Sequence, residues 1–320
     1  MMKKKPLVIL SGATAVGKTG LSLDLARRIG GSIISADSMQ VYRGMDIGTA
    51  KILPSEMQGI EHYLIDELDP EEEFNVYEFQ KRANRYIDEI LSREKIPILV
   101  GGTGFYIQAV LYAVEFSEEP ADRSYREELE RIGAEQGAEH LHQMLQQIDP
   151  EAARQIHVNN QKRVIRALEF YHDTGTQISR HNEEQRSRDS QYNYAYFVLN
   201  RDRSVIYERI NQRVDQMVQQ GLVEEVRGLL DKGVSPDCVS IQGLGYKEIV
   251  RYLKGELTLE EACAFLKQST RHFAKRQLTW FRRERDVIWM NYEDYESIGQ
   301  MSDAMIEILK EKHIVPVSGS

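Results

Sequence analysis

The chain has 320 residues, 41% hydrophobic and 28% charged, the composition of an ordinary soluble globular protein with room for one large α/β domain or two modest ones. Its 50 acidic and 41 basic residues give a formal charge of −9, which excludes a surface coated for non-specific nucleic-acid binding but leaves room for a local basic site. Two cysteines exclude a disulfide framework, and no apolar run reaches the roughly 18 residues of a membrane span.

The basic start, Met1 to Pro6, precedes an apolar run too short for a signal peptide, so the cytoplasm is the expected compartment. That run, Leu7-Val8-Ile9-Leu10, reads as a buried parallel strand. It leads into Gly12, Ala13, Thr14, Ala15, Val16, Gly17, Lys18 and Thr19, a match to the phosphate-cradling pattern G-x-x-x-x-G-K-[ST]. A helix follows, with Leu21, Leu25 and Ile29 four apart and Gly30-Gly31 as its stop. In this context backbone N–H groups converge on an anion at a helix N-terminus. Lys18 is placed to reach an outer phosphate and Thr19 to offer its hydroxyl to Mg²⁺.

A second strand, Ser32 to Ala36, ends at Asp37, Ser38, Met39 and Gln40. Ligands of open parallel sheets sit beyond the carboxyl ends of strands, which places Asp37 near the phosphate loop. It either caps the next turn or serves as a base or outer-shell magnesium partner. After a loop-rich stretch over 43–60, His62 to Asp66 reads as a short strand, and the acids from Glu67 to Glu73 as a solvated surface. Asn75 caps a helix with Val76, Phe79, Ala83, Ile87 and Ile90 at helical spacing. The strand Ile96 to Val100 runs into Gly101-Gly102-Thr103-Gly104, where a hydrolysing phosphate-loop ATPase usually carries a magnesium-holding aspartate. Thr103 either caps the helix from Phe105 or turns its hydroxyl to the same crevice as Asp37.

Residues 116–190 change character, with polar helices over 124–135, 138–147 and 160–173 and a charged connector from His181 to Asp189. Arg154, His157, Lys162, Arg163 and Arg166 form an acid-free tract, either a solvated face or a phosphate contact. The strand Tyr194 to Leu199 returns to the core, and Asp202 starts a helix with Arg209 and Arg213 one turn apart. A long helix from Thr258 to Arg283 carries Lys267, Arg271 and Lys275 at i,i+4 as a one-sided basic stripe. The fold class is thus α/β, a phosphate-loop parallel sheet flanked by helices over 1–115 and 191–314, with an all-helical insertion over 116–190 and a flexible tail over 315–320.

The phosphate loop, the stretch from Ser35 to Lys51 and Gly101 to Tyr106 together resemble the tRNA dimethylallyltransferases, bacterial type. Gln161 to Glu169, the Arg209 to Met217 helix and Gly245-Tyr246 extend the resemblance over roughly residues 6–290. It implies transfer of a dimethylallyl group from its diphosphate to the exocyclic amine of the adenosine 3′ of the tRNA anticodon. It further implies that Gly12 to Thr19 and Arg213 bind diphosphate, that Thr19 holds Mg²⁺, that Asp37 is the base and that Thr103 positions the amine. The resemblance also implies contacts to the anticodon stem-loop at Asp37, Ser38, Met39, Gln40, Thr103, Arg126, Gln161, Lys162, Arg163, Val164 and Ile165. Gln242, Gly243, Leu244, Gly245, Tyr246 and Lys247 complete that set. The rival readings are a small-molecule or nucleotide kinase and a nucleotide-switched RNA-binding protein. Neither a protein partner nor an oligomer is indicated.

Overall fold

The computed structural model describes residues 4–115 and 124–316. The chain divides into two compact units, Met1–Leu111 with Gln191–Ser320, and Tyr112–Ser190.

The first unit opens with strand β1 (Lys5–Gly12), helix α1 (Lys18–Ile29) and strand β2 (Gly31–Ala36). Gly30 closes α1 in the left-handed conformation, as its position after the periodic apolar residues predicts. Strand β3 is only His62–Tyr63. The longer strand expected to Asp66 stops because Leu64 and Asp66 both take positive φ, and Asp66 turns back to receive the Lys51 ammonium at 2.5 Å. Helix α2 (Val76–Ser92) is capped by the Asn75 side chain, which accepts from Glu78 N at 3.0 Å. Strand β4 (Ile96–Gly101) and helix α3 (Gly104–Leu111) follow.

The second unit is helical throughout its described elements: α4 (Ser124–Gln136), α5 (Ala138–Ile148), α6 (Pro150–Gln155), α7 (Gln161–Thr174) and α8 (Ile178–Ser187). Leu129, Leu141, Leu145, Val164, Ile165 and Leu168 form its core. Helix α8 replaces most of the connector expected over 181–189. Asp149 stabilises it by accepting from Ser179 N at 2.9 Å and Ser179 Oγ at 2.7 Å, and Arg180 pairs with Glu184 at i,i+4.

The chain returns through β5 (Tyr192–Asn200), α9 (Arg203–Gln219), α10 (Leu222–Asp231), α11 (Tyr246–Leu253) and α12 (Leu259–Phe281), then β6 (Val287–Asn291) and α13 (Ile298–Glu311). Asp202 caps α9, and Thr258 with Glu261 forms a capping box on α12. Ile314 and Val315 pack into the core, so the order of the chain reaches past 314; residues 317–320 lie outside the described residues.

The six strands pair in the order β3-β2-β4-β1-β5-β6, with every ladder parallel. Alternating side chains feed two faces: Val8, Leu10, Ile33, Ile98 and Phe197 meet α1 and α13, while Tyr196 points the other way, against Phe281 of α12. A sheet covered on both faces explains the continuous apolar runs. Its carboxyl edge gathers the loops after β1, β2, β4 and β5.

Candidate active site at the carboxyl edge of the sheet

The loop after β1 is shaped by its own backbone and gripped from outside. Ala15 takes φ 63° and Gly17, the N-cap of α1, φ 113°. Such left-handed residues turn successive N–H groups inward, and α1 has neither a capping side chain nor an acid in its first turn to compete for them. Lys18 Nζ folds back on the loop and donates to the Gly12 and Ala13 carbonyls, each at 3.0 Å. Three residues from distant segments hold the outer carbonyls. Arg209 Nε donates to Ala15 O at 2.8 Å, Arg201 Nε to Val16 O at 3.1 Å, and Tyr292 Oη to Gly17 O at 2.8 Å. The Arg201 guanidinium lies 3.6 Å from the Tyr292 ring centroid, a cation–π contact that fixes both. Ala13 and Ala15 pack on Ile206 and Ile210 of α9 and Ala274 of α12.

The charges are one-sided. Lys18, Arg201, Arg209 and Arg213 have no carboxylate within ion-pairing distance among the described residues. Burial draws the Lys18 ammonium down to about 8, with Asp37 opposing and Arg213 adding to the fall. Burial likewise lowers Arg213, with Arg209 beside it. Cations left unpaired and partly desolvated favour the approach of an anion.

Across the edge stands Asp37, at the end of β2. Burial raises its carboxyl above the usual range, against the opposing pull of the Met39 amide, which donates to Oδ1 at 2.9 Å, and of Lys18. Asp37 therefore does form the turn bond, while part of its surface stays open to the crevice. Thr103 follows β4; its N–H donates to Ala36 O at 3.3 Å, tying it beside the end of β2. Its hydroxyl has no hydrogen-bond partner among the described residues.

The long stretch after Asp37 is scaffold. Gln40 accepts from Ser35 Oγ and reaches back to Thr49 O. The buried Lys51 ammonium holds Tyr42 O at 2.6 Å, Asp46 at 2.7 Å and Asp66 at 2.5 Å. Glu225 of α10 receives three consecutive amides, Asp46 N (2.9 Å), Ile47 N (2.7 Å) and Gly48 N (3.0 Å), and the Tyr246 hydroxyl (2.7 Å). Gly48 lies so near Tyr246 that a Cβ there would sit 2.6 Å from the ring. Met39 similarly lies against Gly243. The segments 38–40 and 242–247 thus meet in one unit.

Within the expected RNA contacts, Ser38, Met39 and Gln40 are partly exposed, Gln242 is exposed, and Gly243, Leu244 and Lys247 are partly so. Gly245 and Tyr246 are buried, so the Tyr246 hydroxyl meets Glu225 rather than the surface. In the second unit Gln161, Lys162 and Arg163 are exposed at the start of α7, whereas Val164 and Ile165 turn into the helical core. That limits side-chain contact in this stretch to its first three residues. Arg126 faces Glu130 at 3.4 Å and Glu169 at 3.7 Å. The basic stripe of α12 also changes: Lys267 pairs with Asp215 at 2.5 Å and Arg271 donates to Asn211 at 2.7 Å, so both bind α9. The exposed cations are instead Lys275, Arg276, Arg282, Arg283 and Arg285. Sequence reasoning also missed Arg201, Glu225, Gln277 and Tyr292.

Magnesium fits this site only as a shared ligand. Thr19 offers one exposed neutral oxygen, and no group of three His, Cys, Asp or Glu residues could hold a metal among the described residues. Mg²⁺ characteristically keeps waters and takes phosphate oxygens, so one hydroxyl beside a diphosphate suffices.

Fold and site together define a phosphate-loop α/β enzyme with an acid facing a cluster of cations. The family model described as IPP transferase matches residues 40–284, and the chain belongs to that family. It is 59% identical over 311 residues to the tRNA dimethylallyltransferase of Lachnoclostridium phytofermentans, covering 97% of this chain and 99% of that one. The tRNA dimethylallyltransferase of Bacillus anthracis is 49% identical over 300 residues, 94% of this chain and 95% of its own. Two solved structures are similar over nearly the whole chain. The tRNA isopentenylpyrophosphate transferase of Bacillus halodurans has 47% identity and a TM-score of 0.72, covering 97% of this chain and 98% of that one. A eukaryotic dimethylallyltransferase acting on tRNA has 27% identity and a TM-score of 0.81, covering 99% of this chain and 81% of that one. No helix among the described residues is long and apolar enough to cross a membrane.

Proposed function

We propose that the enzyme transfers a dimethylallyl group from dimethylallyl diphosphate to the exocyclic amine of the adenosine 3′ of the tRNA anticodon, and acts in the cytoplasm. The observation that carries the reading is one carboxylate, Asp37, raised by burial and set across the sheet edge from the unpaired cations around a phosphate loop. The allylic C–O bond breaks with its electron pair leaving on diphosphate. Loop amides, Lys18, Arg209 and Arg213 stabilise the charge that develops there, and their preorganisation is the main catalytic device. Thr19 would hold Mg²⁺, which supplies further charge neutralisation on the diphosphate.

The adenine amine is a weak nucleophile because its lone pair is delocalised into the ring. As its nitrogen bonds to the allylic carbon, Asp37 takes the proton, and a carboxyl raised by burial is the better base. The Thr103 hydroxyl, free of protein partners among the described residues, orients the amine. The target base must leave its stack to enter. Segments 38–40 and 242–247 line one part of the RNA surface, and Lys162, Arg163 and the exposed cations at and just past the end of α12 offer phosphate contacts.

The test is label transfer from dimethylallyl diphosphate to unmodified tRNA in the presence of Mg²⁺. Label should appear in tRNA and vanish when that one adenosine is replaced; Asp37→Ala should abolish transfer and spare tRNA binding. Preferential ATP binding with phosphorylation of a small acceptor would establish the kinase reading instead.

A further inference from the structure

We infer that Gln277 is a positioning residue that locks the leaving-group loop to the amine-binding loop. The side chain comes from the inner face of α12, is 6% exposed, and spends both ends of its amide on backbone. Oε1 accepts from Thr14 N in the phosphate loop at 2.9 Å, and Nε2 donates to Gly102 O, next to Thr103, at 2.9 Å. Among the loop amides, Thr14 N is therefore committed to protein. The fit is tight on the glycine side: a Cβ at Gly102 would lie 2.1 Å from Nε2. One turn on, Trp280 closes over Gly104 in the same way, with the indole Cδ1 2.2 Å from a Cβ there.

No other residue type meets both demands. A donor and an acceptor must sit on one planar group, at glutamine's reach. Asparagine is one methylene short, and glutamate offers the Gly102 carbonyl only a second acceptor. What the bridge fixes is the separation between the anion site and the Thr103 hydroxyl. Displacements of about 1 Å in such geometry cost on the order of a hundredfold in rate.

The inference rests on the proposed roles of the phosphate loop and Thr103. Gln277→Ala and Gln277→Glu would be compared with the wild-type enzyme in steady-state transfer and in equilibrium binding of inorganic diphosphate, with thermal melting as a fold control. Gln277→Ala should lower kcat by about thirtyfold to several hundredfold, with both KM values within about threefold. Gln277→Glu, which sets a negative charge beside the loop, should in addition raise KM for dimethylallyl diphosphate and weaken diphosphate binding about tenfold or more. A Gln277→Ala variant with wild-type kcat overturns the inference, as does a loss of kcat that tracks the loss of melting temperature and appears equally at unrelated destabilising sites. A wild-type enzyme that binds no diphosphate would instead overturn the site reading, so the two failures are distinguishable.

Discussion

On the proposed reading, Lys18 should set an alkaline limit on diphosphate capture. Burial is the main reason its ammonium titrates at about 8 instead of 10.5. Between those values the unfolded chain binds more protons than the folded one. Its contribution to stability is therefore fullest above 10.5 and is lost as pH falls through 8. Ligand binding slopes the other way, because the ammonium form is the one that attracts diphosphate. A unit charge about 4 Å from a phosphate oxygen, at an effective dielectric of about 20, is worth about 4 kcal/mol. One pH unit above its midpoint about one site in ten carries that charge, so affinity falls about tenfold, or about 1.4 kcal/mol.

The perturbation is Lys18→Met, which keeps the apolar stem and removes the charge. Equilibrium titrations with inorganic diphosphate at fixed ionic strength would compare the two proteins from about pH 6.5 to about pH 9.5. The ligand's own ionisation is common to both, so the ratio of dissociation constants isolates Lys18. Below the midpoint the variant should bind about a hundredfold to a thousandfold more weakly, and above it the ratio should shrink about tenfold per pH unit. A ratio that stays constant across the range refutes the titration argument; a ratio of one refutes the phosphate contact itself.

The transfer reaction should show a matching bell in kcat/KM. Asp37, raised by burial, sets the acid limb and Lys18 the alkaline limb near 8, and Lys18→Arg should push the alkaline limb upward. Glu225→Gln places an NH₂ against backbone donors and leaves them unsatisfied, at about 1–3 kcal/mol. It should raise KM for tRNA and leave KM for dimethylallyl diphosphate unchanged, and an unchanged tRNA KM would break the link between residues 46–48 and 242–247. Gly48→Ala forces a methyl group against the Tyr246 ring and should lower unfolding free energy by about 1–3 kcal/mol in denaturant titration. Wild-type stability there would mean the ring can shift despite its bond to Glu225.

What the sequence made legible was local. The phosphate loop, the β2 end at Asp37 and the Asn75 and Asp202 caps each depend on neighbours a few residues apart, and each was found where expected. Apart from Arg209, the gripping residues were not legible, because their partners lie far along the chain: Gln277 is 263 positions from Thr14, and Tyr292 is 275 from Gly17. A lone Gln, Glu or Tyr carries no periodic signal. The basic stripe was misread for a related reason. Helical spacing showed that Lys267 and Arg271 share a face, but not that Asp215 and Asn211 of α9 occupy it. Val164 and Ile165 held a readable clue, since with Leu168 they form the apolar face of α7.

The outside grip on the phosphate loop has a consequence for how the protein comes to be made. The loop leaves the ribosome before the segments that hold it, and β1 gains its two neighbours only when β4 and β5 are available. Gln277 and Tyr292 arrive later still. Until then Thr14 N lacks its acceptor and Gly17 O its donor. Early synthesis therefore yields a sheet without a finished phosphate loop, and the loop's completion is timed by α12 and the turn after β6. Such long-range closure slows folding relative to a site built from adjacent segments.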